Sequence, residues 1–364
     1  RDGVLYAELA NNVFIYVVFD DNREEEGITS YGVKYKSFTI KTRNILPQSK
    51  FLLIKALECY LLIKKYLRNV DLVWAHEEYS FVFALLLKKN KCVWDLHEIP
   101  NYFNNLLMKK VFHFIEKKSY KIVHANKYRI NYLKKINTIK NLEKHTYLNN
   151  FPDLQFIDSK KEDKNYNKFK SWLGNSEYIY LQGLSSQVRQ PINIIESVIK
   201  TKFKAVVVGN IDIDSWKYLN EKYSNLDSFI FTTGMVNQLE ITKYIIDSKF
   251  TIVIYDGNSA NKVVAGDGFL LNQIYCEPNR LYQSIALGKP VITGKNPSMK
   301  DIVEKYNLGI SLNGYGDDKS EIINAIKEIN NKYDQYILNI NKNSKRFIWK
   351  DRLIHEILSL SLEN

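Results

Sequence analysis

The stretch that decides the fold is VDLVWAHEEYSFVFALLLKKNKCVWDLHEIP, residues 70–100. Two short apolar runs rich in β-branched and aromatic residues, 70–75 and 91–96, predict buried strands. Between them, residues 81–88 predict a helix that carries the chain from one strand to the next. A strand, a helix and a strand within about 30 residues are typical of parallel pairing with a crossover helix. This part of the chain therefore predicts a parallel sheet covered by helices.

The same alternation continues on both sides of this stretch. Before it, 13–19 predicts a strand and 51–67 a helix; after it, 104–118 predicts a helix and 121–125 a strand. A second series has predicted strands at 178–182, 204–208, 229–232, 250–254 and 290–293, and helices at 191–200 and 281–287. The polar residues 157–171 predict a linker or the opening of a second domain. We therefore predict an α/β protein with two units in tandem and a ligand cleft between them.

Length and composition exclude several classes of protein. The chain has 364 residues, of which 45% are hydrophobic and 25% charged, which excludes a disordered chain, a collagen-like repeat and a coiled-coil rod. No apolar run approaches the roughly 18 residues needed to cross a bilayer. The widely spaced Cys59, Cys92 and Cys276 predict no disulfide framework and favour a reducing cytoplasm. Because the chain begins RDG without a methionine or a signal-peptide pattern, we expect a short natural N-terminal piece to be missing.

The net charge of +12 is unevenly distributed along the chain. Residues 101–150 contain eleven Lys or Arg and two acidic residues, so this stretch alone carries +9. A basic face attracts the phosphates of a membrane surface, of a phosphorylated substrate or of a nucleic acid. The alternative is a solvated face in a lysine-rich chain. We rank nucleic-acid binding low because no known nucleic-acid-binding motif is present.

Two predicted parallel strands end in a histidine followed by a glutamate. His97 and Glu98 follow Asp95 at the end of one strand, and His76 and Glu77 end the other. Side chains at the carboxyl ends of parallel strands lie at the ligand-binding edge of an open α/β sheet. There a histidine can bind a substrate hydroxyl, with Glu98 or Asp95 as its orienting group or as a base. The alternative is that both histidines cap strand ends with satisfied hydrogen bonds.

The remaining histidines do not form a metal-ligand pattern. His113 and His124 lie within a predicted helix and a predicted strand, so we interpret them as structural. His145 and His355 lie in no motif, and we assign them no role. No spacing of His, Cys, Asp and Glu is typical of a metal site, so the sequence predicts none.

Two segments of the second series predict anion sites at the starts of helices. Residues 183–189, GLSSQVR, follow a strand and precede a helix, which places backbone N–H groups and the guanidinium of Arg189 near a helix N-terminus. In 277–283, EPNRLYQ, a proline opens a helix with Arg280 in its first turn and Gln283 further along. Either segment alone is equally compatible with an ordinary connection between a strand and a helix that binds no ligand. Two such helix starts in one domain favour a diphosphate ligand.

These segments together resemble the GT-B glycosyltransferases, above all glycosyltransferase family four. Residues 70–100 resemble that family's strand–His–helix–strand–Asp-x-His-Glu segment, and 277–292 its Pro-Asn-Lys-Leu-x-Glu and Ala-x-Gly-Lys-Pro-Val-Ile signature. Residues 183–189 are similar to its phosphate loop. Residues 149–153 resemble the crossing between its two domains, and 347–349 the return of the chain to the first. The strand and glycine-rich loop with which the family usually starts are absent from this sequence.

The resemblance implies a GT-B fold, in which two Rossmann-like domains have parallel sheets facing across a cleft. It implies an N-terminal, acceptor-binding domain at 1–152, with 345–364 packing back onto it. The C-terminal, nucleotide-sugar-binding domain is then 153–344. The donor is expected to be a UDP-sugar, bound without a metal or another cofactor.

Family residues carry over to this chain position by position. Arg189 and Arg280 would neutralise the donor diphosphate in catalysis, and His97 would lie near the reacting sugar with Glu98 beside it. Gly234 would lie by the nucleobase. The donor-binding residues implied as a set are Gly183, Arg189, Gly234, Glu277, Asn279, Arg280, Leu281 and Gln283, and the acceptor-binding residues are His76, Glu77 and His97.

Three positions depart from the family pattern. Gln283 stands where the family usually has a ribose-binding glutamate, and an amide offers a single acceptor oxygen in place of two. Leu184 stands where many members have an arginine, and Gln190 where a glycine often follows the cation of the loop. These differences leave the donor nucleotide open and are compatible with a specialised or an inactive member.

The resemblance implies a metal-independent glycosyltransferase that transfers a sugar to a glycan or lipid-linked acceptor in surface polysaccharide synthesis, and the cysteine content favours a cytoplasmic location. Family likeness favours retention of the anomeric configuration, while an inverting enzyme with Glu98, Asp95 or Glu77 as base stays open. The basic stretch 101–150 would dock on an anionic surface at the inner face of the cytoplasmic membrane. Two alternatives remain, a nucleotide-sugar epimerase of the same fold and a non-catalytic nucleotide-sugar-binding subunit.

Overall fold

The chain divides into two compact units. The structure, a computed structural model, describes residues 13–19, 21–29, 32–46, 51–87, 91–100, 106–258, 263–264 and 268–350. The first unit extends to Asn149, and the second runs from Asn150 to Trp349, three residues from the predicted boundary. Of the segment 345–364, which the sequence predicts to pack on the first domain, residues 345–349 belong to the second unit, Lys350 belongs to the first, and 351–364 lie outside the described residues.

The first unit opens with a small mixed sheet. Its strands are β1 (Phe14–Val17), β2 (Glu26–Ile28) and β3 (Lys34–Ser37). β1 runs parallel to β3, which runs antiparallel to β2. Two helices follow, α1 (Lys41–Ile45) and α2 (Leu52–Ile63). The sequence predicts β1 and α2 but neither β2 nor β3, because their charged residues lack the apolar run expected of a buried strand.

A parallel sheet forms the centre of the first unit. In spatial order its strands are β4 (Leu72–His76), β5 (Lys91–Leu96), β6 (Lys121–His124) and β7 (His145–Tyr147). The intervening helices are α3 (Phe81–Leu86), α4 (Leu106–Lys118) and α5 (Lys127–Lys135). The predicted bounds of β5 agree with the structure to the residue. Successive residues of β5 and β6 point to opposite faces, and Val93, Trp94, Ile122 and Val123 are all fully buried, so both faces of the sheet are covered.

The second unit is built around a larger parallel sheet. Its strands are β8 (Tyr178–Leu184), β9 (Lys204–Ile211), β10 (Ile230–Gly234), β11 (Phe250–Val253), β14 (Val291–Thr293) and β15 (Gly309–Ser311), with a short antiparallel pair, β12 (Val263–Val264) and β13 (Gly268–Phe269), in between. The spatial order is β10-β9-β8-β11-β14-β15. The chain order reverses on either side of β8, and such a switch point is where α/β sheets bind ligands, beyond the carboxyl ends of the strands.

Helices flank this sheet along most of its length. They are α6 (Leu154–Ile157), α7 (Tyr166–Leu173), α8 (Pro191–Lys200), α9 (Ile213–Lys222), α10 (Leu226–Phe229), α11 (Ile241–Ile246), α12 (Leu270–Ile274), α13 (Asn279–Ala286), α14 (Pro297–Tyr306), α15 (Lys319–Asn331) and α16 (Tyr333–Asn343). The predicted bounds of α8 agree with the structure because Pro191 fixes its first turn.

The polar stretch 157–171, predicted as a linker or as the opening of the second domain, contains most of α7. Tyr166, Phe169 and Leu173 are buried together in the core. Their spacing of three and four residues places them on one face of a helix. Because Lys, Asp and Asn residues surround these three positions, the sequence does not show a clear apolar pattern of helical spacing.

An aromatic cluster closes the second unit where its chain begins and ends. The ring centroid of Phe347 lies 6.0 Å from that of Phe151 and 5.9 Å from that of Tyr282. The backbone N–H of Trp349 donates to the carbonyl oxygen of Pro152 at 2.8 Å. Phe347 is buried in the core, so these contacts fix residues 345–349 on the second unit.

Candidate functional site

Two arginines of the second unit converge on the carboxyl end of β8. Nη1 of Arg189 donates to the carbonyl oxygen of Gly183 at 2.7 Å. Nη1 of Arg280 donates to the same oxygen at 3.3 Å and also to the carbonyl oxygen of Gln182. Gly183 has a φ of 56°, which favours glycine, and a Cβ there would lie 3.1 Å from Nη1 of Arg189. The fold thus brings together both predicted cations and the predicted glycine.

A tyrosine ring faces both guanidinium groups. Cζ of Arg280 lies 4.7 Å from the ring centroid of Tyr255, and Cζ of Arg189 lies 5.6 Å from it. Burial lowers the pKa of Arg280, Tyr255 offsets part of this effect, and the charge of Arg189 lowers the pKa further. Nε of Arg280 has no hydrogen-bond partner among the described residues. Two neighbouring cations with little access to water are stabilised by a bound anion, and guanidinium groups match phosphate oxygens.

The start of α13 supplies the other predicted residues of this region. Asn279, its first residue, is exposed, while Gln283 is buried and its Oε1 has no partner among the described residues. The carboxylate of Glu277 accepts a hydrogen bond from the hydroxyl of Tyr282, which holds it in place. Leu281 is fully buried in the hydrophobic core, so its side chain packs against the protein interior. The buried Gln283 acceptor is suited to a ligand hydroxyl or N–H.

Gly234 lies at the carboxyl end of β10, beside the neighbouring strand. It pairs with Gly209 of β9, and its φ is 68°. A Cβ on Gly209 would lie 3.4 Å from Cα of Gly183, so β8 and β9 approach closely at this end. A cavity of about 520 Å³ adjoins the loop that carries Arg189, and its lining includes Gln187, Gln190, Asn193, Ser215, Asp256 and Asn258. This volume lies within the usual range of roughly 300–1,000 Å³ for small-molecule sites.

In the first unit, the ends of β4 and β5 bring two histidines and an aspartate together. His76 pairs with Asp95 in the strand register, and His97 follows Asp95 by two residues, so the three side chains share one face of the sheet. Nδ1 of His76 lies 3.2 Å from Nε2 of His97. Each of these nitrogens lies 3.5 Å from an oxygen of the fully buried Asp95 carboxylate. Although the sequence predicts no metal-ligand spacing, this group could hold a metal ion.

The backbone beside these histidines is held in a defined conformation. Glu77 has a φ of 79°, in the left-handed region that non-glycine residues rarely adopt. Its N–H donates to the carbonyl oxygen of Asp95 at 3.2 Å, and its own carbonyl oxygen accepts from Nε1 of Trp94 at 3.0 Å. Arg129 donates to the carbonyl oxygen of His97. The side chains of Glu77 and Glu98 are both exposed, whereas the buried Asp95 carboxylate lies 3.5 Å from a ring nitrogen of each histidine.

A second set of buried polar groups crosses the first unit. Nε2 of His124 lies 2.8 Å from Nδ1 of His145, whose Nε2 lies 2.9 Å from the Glu116 carboxylate. Burial, and then the neighbouring His145 and Arg129, hold the pKa of His124 well below its usual range. Burial acts to raise the pKa of Glu116, but hydrogen bonds from His145 and from two backbone amides outweigh it and lower that pKa. These groups are structural, as the sequence predicts for His124, and they give His145 a partner that sequence reasoning missed.

The basic stretch 101–150 divides into structural and exposed cations. Lys109 and Lys121 each donate to a backbone carbonyl, Lys144 donates to three, and Arg129 to one. The other seven cations are exposed: Lys110, Lys117, Lys118, Lys127, Lys134, Lys135 and Lys140. Helix α4 also exposes three large apolar side chains: Leu106, Leu107 and Phe114. Across the described ranges, no helix is both long enough and apolar enough to cross a bilayer.

Comparison with known proteins gives matches at the level of structure. No known family model matches the sequence, and no curated protein matches it. Sucrose-phosphate synthase from Thermosynechococcus elongatus matches 98% of this chain and 91% of its own, with a TM-score of 0.74 and 11% identity. A glycosyltransferase from Rickettsia africae matches 98% of this chain and 92% of its own, with a TM-score of 0.69 and 14% identity. HepE from Anabaena, in complex with UDP, covers 99% and 94%, with a TM-score of 0.68 and 12% identity.

At these identities the likeness concerns the fold. The neighbours match nearly the whole chain, and both parallel sheets of the structure agree with the predicted α/β class. The chain therefore has the GT-B fold, with two Rossmann-like units.

Proposed function

We propose that this protein is a glycosyltransferase that binds a nucleotide-sugar donor, a UDP-sugar, through its second unit. The observation that carries the proposal is the convergence of Arg189 and Arg280 on the carbonyl oxygen of Gly183. The complex of HepE with UDP supports the choice of nucleotide, because that protein has a similar fold. The role in surface polysaccharide synthesis rests on the sequence resemblance to glycosyltransferase family four.

The chemistry follows from where charge develops during transfer. When the bond between the sugar and the diphosphate breaks, the departing nucleoside diphosphate gains negative charge. Fixed cations stabilise this charge, and they do so most strongly where water is excluded. Arg280 is buried and Arg189 half-buried, so the two guanidinium groups would stabilise the diphosphate without a metal at that point. Glu277 and Asn279 would contact the donor sugar or its phosphates, and Gly234 would leave room for the nucleobase.

The ribose contact differs from the family pattern. Gln283 presents one buried acceptor oxygen, and its amide also donates, so it can bind one ribose hydroxyl as acceptor and another as donor. A glutamate would accept from both. We expect weaker ribose binding than in family members with the carboxylate. A non-catalytic nucleotide-sugar-binding subunit is the second candidate function, and Gln283 is the observation that favours it.

The acceptor would bind to the first unit. His76, Glu77 and His97 lie at strand ends where a sugar hydroxyl could be held, and the acceptor would be a glycan or a lipid-linked glycan. The exposed lysines and apolar side chains of α4 would favour contact with an anionic membrane, with each basic residue contributing on the order of 1 kcal/mol. Retention of configuration is the expected outcome, and an inverted product would point instead to a base such as Glu98.

A ligand panel tests the proposed function. Thermal unfolding is measured with UDP, ADP, GDP and UDP-glucose, since a ligand at about 100 times its Kd adds about 2.7 kcal/mol to the free energy of unfolding. UDP and UDP-glucose should stabilise the wild type and the Arg346→Ala control, whose arginine is exposed on the same unit, but not Arg189→Ala. Release of UDP or transfer of sugar then separates an enzyme from a binding subunit. If no nucleoside diphosphate or nucleotide sugar stabilises the protein, the proposal is rejected.

A further inference from the structure

We propose that His76, Asp95 and His97, at the ends of β4 and β5, bind one divalent transition-metal ion, of which Zn²⁺ is the best match. Two histidine nitrogens and a carboxylate are a common ligand set for zinc and for other first-row metals. The residue types therefore agree with a metal site, although their positions in the sequence do not match a known metal-binding motif. The strand register brings them together: His76 lies beside Asp95, and His97 two residues beyond it.

The spacing of the three groups agrees with tetrahedral coordination. Zinc binds histidine nitrogen and carboxylate oxygen at about 2.0–2.2 Å, so two ligand atoms of a tetrahedral site lie about 3.4 Å apart. The two histidine nitrogens here are 3.2 Å apart; Nδ1 of His76 lies 3.5 Å from Oδ2 of Asp95, and Nε2 of His97 lies 3.5 Å from Oδ1, the other oxygen of the same carboxylate. An ion at the centre of these atoms would therefore reach all three groups with small side-chain adjustments.

The surroundings hold the ligands in this arrangement. Nε1 of Trp74 donates to Oδ2 of Asp95 at 3.0 Å, which orients the carboxylate from a neighbouring position on β4. Hydrogen bonds from such supporting groups to metal ligands typically change metal affinity by about 10- to 100-fold. Arg129 fixes the backbone of His97 through its carbonyl oxygen. The aspartate is fully buried, so its orientation is set by these contacts rather than by solvent.

Partial exposure of the histidines leaves room for a fourth ligand. The side chains of His76 and His97 are 19% and 29% exposed, whereas the Asp95 carboxylate is fully buried. Three protein ligands with one position open to water or substrate are typical of reactive rather than purely structural zinc sites. The ligand class that such a position takes is a water molecule or a hydroxyl or carboxylate oxygen of a small molecule.

This inference goes beyond the proposed function and does not depend on it. The donor diphosphate would bind to the arginines of the second unit, whereas the metal would bind to side chains of the first. Metal binding is therefore measurable without any nucleotide, and nucleotide binding is measurable after treatment with a chelator. A negative result for metal binding therefore does not count against nucleotide binding, and a negative result for nucleotide binding does not count against metal binding.

The experiment measures metal content and coordination in the full chain. The protein is stripped with EDTA, dialysed against Zn²⁺, and analysed for bound zinc; Co²⁺ is then used as a spectroscopic probe, because tetrahedral Co²⁺ absorbs visible light strongly. We expect one Zn²⁺ per chain and the tetrahedral Co²⁺ spectrum. His97→Ala and Asp95→Asn should each lose at least 100-fold in zinc affinity, and Trp74→Phe about 10- to 100-fold. His113→Ala, which removes a histidine of α4 outside the cluster, is the matched control and should bind like the wild type.

Two outcomes would overturn the proposal. The first is the absence of stoichiometric zinc in a wild-type chain whose circular dichroism shows the folded state. The second is unchanged zinc affinity in both His97→Ala and Asp95→Asn, which would assign the metal to other residues. Since Asp95 is buried, circular dichroism of each variant is recorded first, and Trp74→Phe, which leaves all three ligands in place, gives an independent measure if Asp95→Asn unfolds.

Discussion

Replacing Arg280 by lysine tests the anion site while keeping its positive charge. Nη1 of Arg280 is occupied by the carbonyl oxygens of Gln182 and Gly183, while its Nε has no partner among the described residues. The edge of the guanidinium that carries Nε is therefore the edge that would bind a phosphate. A lysine has one nitrogen, which the two carbonyl oxygens would occupy, so it could not reproduce that second edge.

The magnitude follows from the hydrogen bonds lost. A hydrogen bond to a charged group contributes about 1.5–3 kcal/mol, and the free edge of the guanidinium can form two such bonds to a phosphate. Lysine would recover part of the electrostatic attraction, so we expect a net loss of about 2–4 kcal/mol. That loss corresponds to UDP binding that is about 30- to 1,000-fold weaker. The fold should persist, because the lysine can still donate to the same carbonyl oxygens.

Isothermal titration with UDP measures this effect directly. The matched control is Arg346→Lys, the same chemical change at an exposed arginine of the second unit, and it should leave the UDP affinity unchanged. Thermal unfolding without ligand confirms that both variants are folded. If Arg280→Lys binds UDP within about threefold of the wild type, a difference of under about 1 kcal/mol, then Arg280 does not bind the diphosphate through this edge and the reasoning fails.

Three further predictions concern stability. Phe347→Ala removes a buried ring from the aromatic cluster and should lower the free energy of unfolding by about 3–5 kcal/mol; urea unfolding measures this, and a loss below 1 kcal/mol would contradict the packing of 345–349 on the second unit. Gly183→Ala places a Cβ against Arg189 at a residue with a positive φ, so it should lower the free energy of unfolding by about 1–2 kcal/mol and weaken UDP binding. An unchanged melting temperature would refute this prediction. Because burial keeps His124 neutral in the folded protein, this imidazole takes up a proton below about pH 6.5 only in the unfolded chain, so its contribution makes the protein less stable as the pH is lowered. Between pH 7.5 and 5.5 His124 should account for about 1.4 kcal/mol of this loss, and His124→Gln should show a correspondingly shallower dependence in urea unfolding.

Sequence periodicity predicted most of the elements that position the site. β5 and α8 agree with their predicted bounds because each has a local signal, an apolar run for the strand and Pro191 for the helix. The helix α7 was missed because its apolar stripe of three residues lies in a stretch rich in charge. β2 and β3 were missed for a related reason, since both are charged and neither is fully buried. Local patterns thus predict the buried elements better than the partly exposed ones.

The candidate sites depend on contacts that periodicity does not contain. The sequence assigned His76 and His97 to strand ends and named Asp95 as an orienting group, but the distance between the histidines depends on the register of β4 against β5. A shift of one residue would move His76 to the opposite face from Asp95. The approach of Arg189 to Arg280 likewise depends on how the loop after β8 and the start of α13 pack, and these lie about 90 residues apart in the chain. The sequence therefore predicts which residue types lie at the strand ends, but it does not predict which of these side chains come into contact.

Both candidate sites follow from the same geometric rule with different side chains. At the carboxyl end of β8, two guanidinium groups share one carbonyl oxygen, an arrangement whose charge favours a phosphate. At the ends of β4 and β5, two imidazoles share one buried carboxylate, an arrangement whose charge and donor atoms favour a cation. A phosphate would not be stabilised beside Asp95, and a divalent cation would be repelled by Arg189 and Arg280. The two sites therefore favour ligands of opposite charge, a phosphate at the arginines and a metal cation at the histidines.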